Sequence, residues 1–381
     1  MVLLLAQEAP AGERAARAAR PSGIAAADTQ AAMAEYRRKL AAYTPAWEKY
    51  DSEARAYWNS VAEKRRIRNA KRRHHREILL DDYALTQPPV YSGPPKPVDP
   101  SAIERKPPVI YVPVVADFLK AAAEHFQFVP QRPASEIEFK RAYAKVAAAA
   151  GLTMEQVVRI YGFEAGGNGR YDVQAGLESA GANARAISTA LGYNQLLTTN
   201  SVELMAEQGD DFIAALKKKA ESLSGEGRKA LERKIAIVRR MVEFSRTVPD
   251  SWSEHEKLGA TPQGLGVHAM VLDVDVGPLL QAQKLLNSVA FARLKGHRAP
   301  LSAAELEMMN LTGDGNGFDM VTMPAAMRKQ VPTSNFFQRS GYERNPVAIR
   351  NNVVSRLLTA TDAKMDREMR LRGAQDLAAA F

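Results

Sequence analysis

The chain has 381 residues, 46% of them hydrophobic and 7% aromatic, which is enough for one large domain or two ordinary ones and too much for a disordered protein. Lys and Arg outnumber Asp and Glu by 52 to 43, a formal net charge of +9 that favours anionic polymers or surfaces as partners. With no cysteine, a disulfide framework, a thiolate metal site and a cysteine nucleophile are excluded, while the dominance of Ala, Leu, Lys, Arg and Glu points to a mainly α protein.

Residues 1–25 form an N-terminal tail. It starts with a short apolar run, Met1 to Leu5, followed by small residues around Ala6 to Ala11, which suits either the end of a secretory signal peptide or a frayed terminus. Residues 26–84 read as a basic helical segment, with Tyr36, Leu40, Tyr43, Trp47, Tyr57, Trp58 and Val61 at helical spacing. Pro45, preceded by Thr44, is expected to split it into two helices. Its second half carries Lys64, Arg65, Arg66, Arg68, Lys71, Arg72, Arg73 and Arg76, a run suited to an anionic wall or membrane surface. Residues 85–113 are dense in proline, from Pro88 to Pro113, and read as an extended, semi-rigid linker. Deleting residues 1–110 is therefore expected to leave the remainder folded. No stretch is long and apolar enough to span a bilayer.

Residues 114–381 read as one main domain of successive helices, with weak strand signals throughout. Ser135 caps a run through Phe139, Tyr143 and Val146 that Gly151 can end. Thr153 and Gln156 form a capping-box pattern that opens a helix toward Glu164. Further helices are expected near 201–223, 225–246, 277–294, 302–310 and 346–373.

Chemistry concentrates at Glu164. Val157, Ile160, Tyr161 and Glu164 are spaced i, i+3, i+4, i+7, so the carboxyl shares a helix face with apolar side chains. A carboxyl against apolar neighbours tends to hold its proton, because desolvation disfavours the charged form, and such a group can act as a general acid. The glycine-rich stretch that follows, Ala165-Gly-Gly-Asn168-Gly-Arg170, ends the helix and opens the space in front of it.

A second constellation runs Ser188-Thr-Ala-Leu-Gly192-Tyr193-Asn194-Gln195-Leu196-Leu197-Thr198-Thr199-Asn200-Ser201 and leads into a helix. A third is Glu305-Leu-Glu-Met-Met309-Asn310-Leu-Thr-Gly313. Together with Glu164 they resemble the lysozyme-like soluble lytic transglycosylases, in which a helix ends at the catalytic Glu. There, a Ser-x-x-Gly-x-x-Gln-Leu segment lines the saccharide groove, and a later helix ends in an Ala-Tyr-Asn-Ala-Gly-type motif. Over residues 150–318 the resemblance implies a lysozyme-like catalytic domain with a C-terminal helical extension and no cofactor or metal. Glu164 would be the catalytic acid, with Ser188, Tyr193, Gln195 and Asn310 binding the sugar.

The substrate implied is peptidoglycan, cut between N-acetylmuramic acid and N-acetylglucosamine in the periplasm or outside the cell. One carboxyl would act twice, protonating the bridging oxygen and then taking the proton of the muramic C6 hydroxyl to leave a 1,6-anhydro end. Three features depart from the family pattern: Ala165 where serine is usual, Met309 where tyrosine is usual, and an insertion around Asp172 to Arg185.

Alternatives remain from other classes. A hydrolytic muramidase would need a second carboxylate across the scissile bond, for which Asp172 is nearest in sequence. A non-catalytic wall-binding or scaffold protein could keep the same fold. The basic run also fits a nucleic-acid binder, although it has no recognisable binding motif and no specific nucleic acid is expected. The Asp314-Gly-Asn-Gly-Phe-Asp319 stretch lacks an oxygen ligand and the turn glycine where a calcium loop needs them, and the adjacent His74 and His75 point apart on a helix.

Overall fold

The computed structural model describes residues 23–101, 111–177 and 184–381. The tail's apolar start and part of the insertion after Asp172 lie outside the described residues. The described chain is mainly helical, without strands and with isolated bridges alone. In chain order the helices are α1 (Gly23–Arg73), α2 (Val115–Phe126), α3 (Glu136–Ala149), α4 (Met154–Ala165), α5 (Thr198–Glu221), α6 (Gly225–Ser245), α7 (Trp252–Gly259) and α8 (Pro262–His268). Then follow α9 (Gly277–Leu294), α10 (Ala303–Thr312), α11 (Asp314–Thr322), α12 (Ala325–Arg328), α13 (Arg339–Glu343), α14 (Pro346–Arg350), α15 (Val354–Glu368) and α16 (Arg372–Ala378).

The chain divides into two compact units, one of Met1–Asn59 with Pro88–Pro108 and the other of Ser60–Gln87 with Val109–Phe381. In the first unit α1 runs through Pro45 without a break, contrary to the expected pair of helices. The ring falls on an exposed face, and the Thr44 hydroxyl donates to the Leu40 carbonyl at 2.9 Å. Aromatic residues recur here at seven-residue spacing, Tyr36, Tyr43, Tyr50 and Tyr57. The proline-rich stretch packs against this stripe, with Tyr91 edge-on to Trp47 and Tyr50 at 5.4 Å. Tyr91 in the proline-rich stretch thus serves as packing for α1 in this unit, and the linker expected over 85–113 is shared between the two units.

In the second unit the core lies where α3, α4, α9, α10 and α15 pack on one another and α5 packs on α6, α7 and α8. Phe139, Tyr143, Val157, Ile160, Leu191, Met205, Leu280 and Met308 are fully buried there. The expected helix over 346–373 is interrupted instead. Asn345 caps α14, and the chain then extends so that Val354 donates to Val331 before α15 begins.

Much of the basic run is internal to this unit. Arg68 is fully buried, donating to the carbonyls of Asp82 at 2.8 Å and Asn335 at 3.1 Å, with its Nε 3.6 Å from Asp319. Its guanidinium also stacks 4.4 Å from the Tyr83 ring centroid. Arg72 Nε donates to Asp319 Oδ1 at 3.0 Å, and Lys71 pairs with Asp82 at 2.6 Å. Arg66, Arg73 and Arg76 remain exposed. This corrects the expectation that the whole run faces an anionic surface: Arg68, Lys71 and Arg72 face Asp82 and Asp319 and hold the last turns of α1 within this unit.

Candidate active site

The site is assembled from three helix ends and one tight loop. α4 begins with the reciprocal cap between Thr153 and Gln156 and ends at Gly166, whose φ of 67° is left-handed. Gly167 follows with a φ of 68°, and a Cβ there would lie 2.6 Å from the Glu368 carbonyl. The glycines therefore stop α4 one residue after Glu164 and let the chain turn close against α15. Val157, Ile160 and Tyr161 from the same face are buried, whereas Glu164 is half-buried at the groove.

The loop before α5 closes on itself through Leu191 and Leu196, which exchange backbone hydrogen bonds at 2.9 and 3.0 Å. Gly192 has a φ of 80°, and a Cβ there would sit 2.1 Å from Gln281 Nε2, so the position admits only glycine. Asn194 anchors the loop internally, donating to Tyr143 Oη at 2.8 Å and the Gln281 carbonyl at 2.7 Å. Ser201 and His268 hold its base, with Ser201 Oγ 2.8 Å from Nδ1 and the Thr189 carbonyl 2.9 Å from Nε2. Burial pushes His268 down to about 4, so it is neutral, and its contact with a carbonyl places the proton on Nε2.

Glu164, Gln195, Met309 and Asn310 line one open groove of about 1250 Å³. Asn310 Nδ2 donates to Glu164 Oε1 at 3.0 Å. Gln195 stands in the left-handed region (φ 45°), and its amide nitrogen is held by the Gly192 carbonyl at 2.8 Å and that of Val173 at 3.2 Å. Its Oε1 is thereby left as the acceptor it offers. Amides of Asn200 and Asn287 and the rings of Trp252 and Phe291 line the same groove, Trp252 with nearly half its surface exposed. Polar amides between flat apolar rings suit sugar rings, which carry hydroxyls on their rims and C–H groups on their faces.

Two of the sugar-binding residues implied by the resemblance are elsewhere. Tyr193 is fully buried at the centre of an aromatic cluster with Phe139, Tyr143 and Tyr161, ring centroids 5.3, 5.6 and 4.7 Å away, and its hydroxyl donates to Glu136. It is a core residue, because the loop turns it inward beside Asn194. Ser188 stands four residues before Gly192, one more than the Ser-x-x-Gly spacing; it caps its own turn, its Oγ accepting from the Ala190 amide at 3.2 Å, and does not line the groove. Asp172 is tied to Arg132 at 3.1 Å and faces a separate cavity of about 700 Å³ on the other flank of Glu164.

Two groups at the site escaped sequence reasoning. Glu307, one turn before Asn310 on α10, is completely buried, near enough to Glu164 for the two carboxyls to influence each other. Neither of its oxygens receives a well-formed N–H or O–H donor. Burial first, and Glu164 second, push the Glu307 carboxyl well above the usual carboxylate range, against the pull of Lys284. Lys284 on α9 is pushed down by burial while Glu164 and Glu307 oppose the shift, and its ammonium donates to the Asn194 carbonyl at 2.7 Å. The signal for Glu307 was available: Ala303-Ala-Glu-Leu-Glu307-Met-Met309 sets a carboxyl within an apolar run at i−3 from Asn310.

This shift has a consequence for stability. The unfolded chain ionises Glu307 near 4.5 while the folded protein keeps it protonated to higher pH, so its proton favours the folded state most fully below that value. The contribution is lost as pH rises toward the folded value. Glu307→Gln should therefore gain in thermal midpoint relative to wild type as pH rises from about 4.5 toward neutrality. A midpoint difference that stays constant across that range would contradict it.

In comparisons with protein-family models, with curated proteins and with solved structures, nothing matches this chain.

Proposed function

We propose that this protein cleaves the β-1,4 bond between N-acetylmuramic acid and N-acetylglucosamine in peptidoglycan, acting as a lytic transglycosylase with Glu164 as its acid. The observation that carries this reading is the hydrogen bond of Asn310 to Glu164 in a groove shared with Gln195, since these residues come from the three separate motifs. Glu164 passes its proton to the bridging oxygen as the bond to the anomeric carbon breaks. It then accepts the proton of the muramic C6 hydroxyl as that oxygen bonds the same carbon. No water enters, and the proton count closes on one carboxyl. Glu307, buried beside Glu164 and held toward its protonated form, adds no second negative charge there, and Asn310 steadies the charged form of Glu164.

Carboxyls that flank a glycosidic bond for hydrolysis stand about 5–9.5 Å apart. Glu307 is completely buried and does not line the groove, so it cannot stand across a bound strand from Glu164. The hydrolytic reading draws instead on Glu203, which lines the same groove and is pushed up to about 7 by burial and by Glu207 and Asp250. The substrate places the protein in the periplasm or outside the cell. Digestion of purified peptidoglycan followed by mass spectrometry separates the readings: 1,6-anhydro ends support the transglycosylase, and reducing ends support a muramidase. Intact glycan after prolonged incubation would overturn both.

A further inference from the structure

Beside the groove lies a second cavity of about 460 Å³, lined by Arg65, Arg72 and Arg73 from α1, Lys295 from the end of α9, and polar groups including Asn69 and Asn316. We propose that it binds an oxyanion, carboxylate or phosphate in class, carried by the chain that occupies the Glu164 groove. The attachment to that chain rests on the reading of the groove given above.

The charges do not balance within the cavity. Arg65 has only neutral acceptors, the carbonyls of Asn335 at 3.1 Å and Phe337 at 2.7 Å, and its Nε is buried without a partner. Burial and the neighbouring Arg68 both work against its charged form, so an anion here would relieve a cost already present in the fold. Arg73 and Lys295 are exposed and make no ion pair among the described residues. Arg72 is matched by Asp319. The lining carboxyl, Asp314, accepts from Ser288 Oγ at 2.6 Å and is pushed up by burial, which weakens it as a counter-ion.

The position supplies the second part of the argument. Phe291, Gly313 and Asp314 belong to the walls of both the cavity and the groove, so a substituent on a chain in the groove can enter the cavity without leaving it. The cations converge on one compartment, whereas a nucleic-acid backbone needs them strung along its length. A glycan strand bearing peptide stems presents isolated carboxylates beside the sugar, which is the geometry this compartment accepts.

The test uses the full chain and the double substitution Arg73→Gln with Lys295→Gln, both on exposed side chains. Inorganic phosphate is titrated into wild type and variant by calorimetry, and KM is measured on peptide-bearing glycan strands and on the same strands stripped of their peptides. The expected result is about tenfold weaker phosphate binding in the variant, the scale of losing a charged hydrogen bond. With it should come a raised KM for peptide-bearing strands, an unchanged kcat, and no change on the peptide-free substrate. Equal phosphate affinity in the two proteins overturns the anion site. Weakened phosphate binding with identical KM values on both substrates overturns its link to the groove, leaving a site for a free anion. If neither protein cleaves glycan, the reading of the groove fails, and the phosphate titration alone decides the anion site.

Discussion

Glu164→Gln is expected to lower glycan cleavage by about a thousandfold or more, the scale of a lost general acid, while the protein keeps its fold. The amide reproduces the carboxyl's shape and still offers an oxygen to the Asn310 side chain, whose bond to Glu164 is 3.0 Å long. It also brings no charge to the buried Glu307 carboxyl, whose ionised form a charged Glu164 disfavours. What is lost is the ability to give and take a proton at the bridging oxygen. Turnover of purified peptidoglycan together with a thermal melt checks the outcome. Wild-type turnover by a folded variant would take Glu164 out of the reaction. Asn310→Ala should reduce the rate less, since it removes a donor to the charged form and leaves the proton in place.

Glu164 could be found from sequence because helix period is a local property: four residues at i, i+3, i+4, i+7 reveal a face, and the glycines after Ala165 reveal where that face ends. The loop carrying Gln195 was marked for a similar reason, since Gly192 has a left-handed φ and a Cβ there would meet Gln281, a demand that glycine alone answers. Tyr193 was not legible. Its side chain direction depends on a left-handed residue at 195 and on the Leu191–Leu196 closure, neither of which a residue list specifies. Glu307 was missed for another reason: its place in an apolar run marks it as buried, but its nearness to Glu164, far away in sequence, is reported by no local pattern. The basic run shows the same limit. Charge clustering suggests an exposed face, yet Arg68 and Arg72 are taken inward by Asp319, a residue on α11, a helix that the sequence reading did not anticipate.

That inward pairing sets the second large effect. Arg68→Ala is expected to destabilise the second unit by about 3–5 kcal/mol, the cost of removing one partner from a buried ion pair. Asp319, nearly buried, would keep Arg72 but lose the second cation beside it, and the carbonyls of Asp82 and Asn335 would each lose a donor. The same contacts decide where the chain can be shortened. Deleting residues 1–59 removes only chain assigned to the first unit and should leave a cooperative melt. Deleting residues 1–110 also removes Arg68, Arg72, Lys71 and Asp82, stranding Asp319 without its cations, and should abolish that melt. Replacing Arg68 by Met and Asp319 by Leu together offers an internal control: with Arg72→Met added, the carboxylate and both of its cations are gone, and stability should return most of the way toward wild type. A triple variant no more stable than Arg68→Ala would show that the loss comes from packing around Tyr83, over which the Arg68 guanidinium lies at 4.4 Å, and not from the stranded carboxylate.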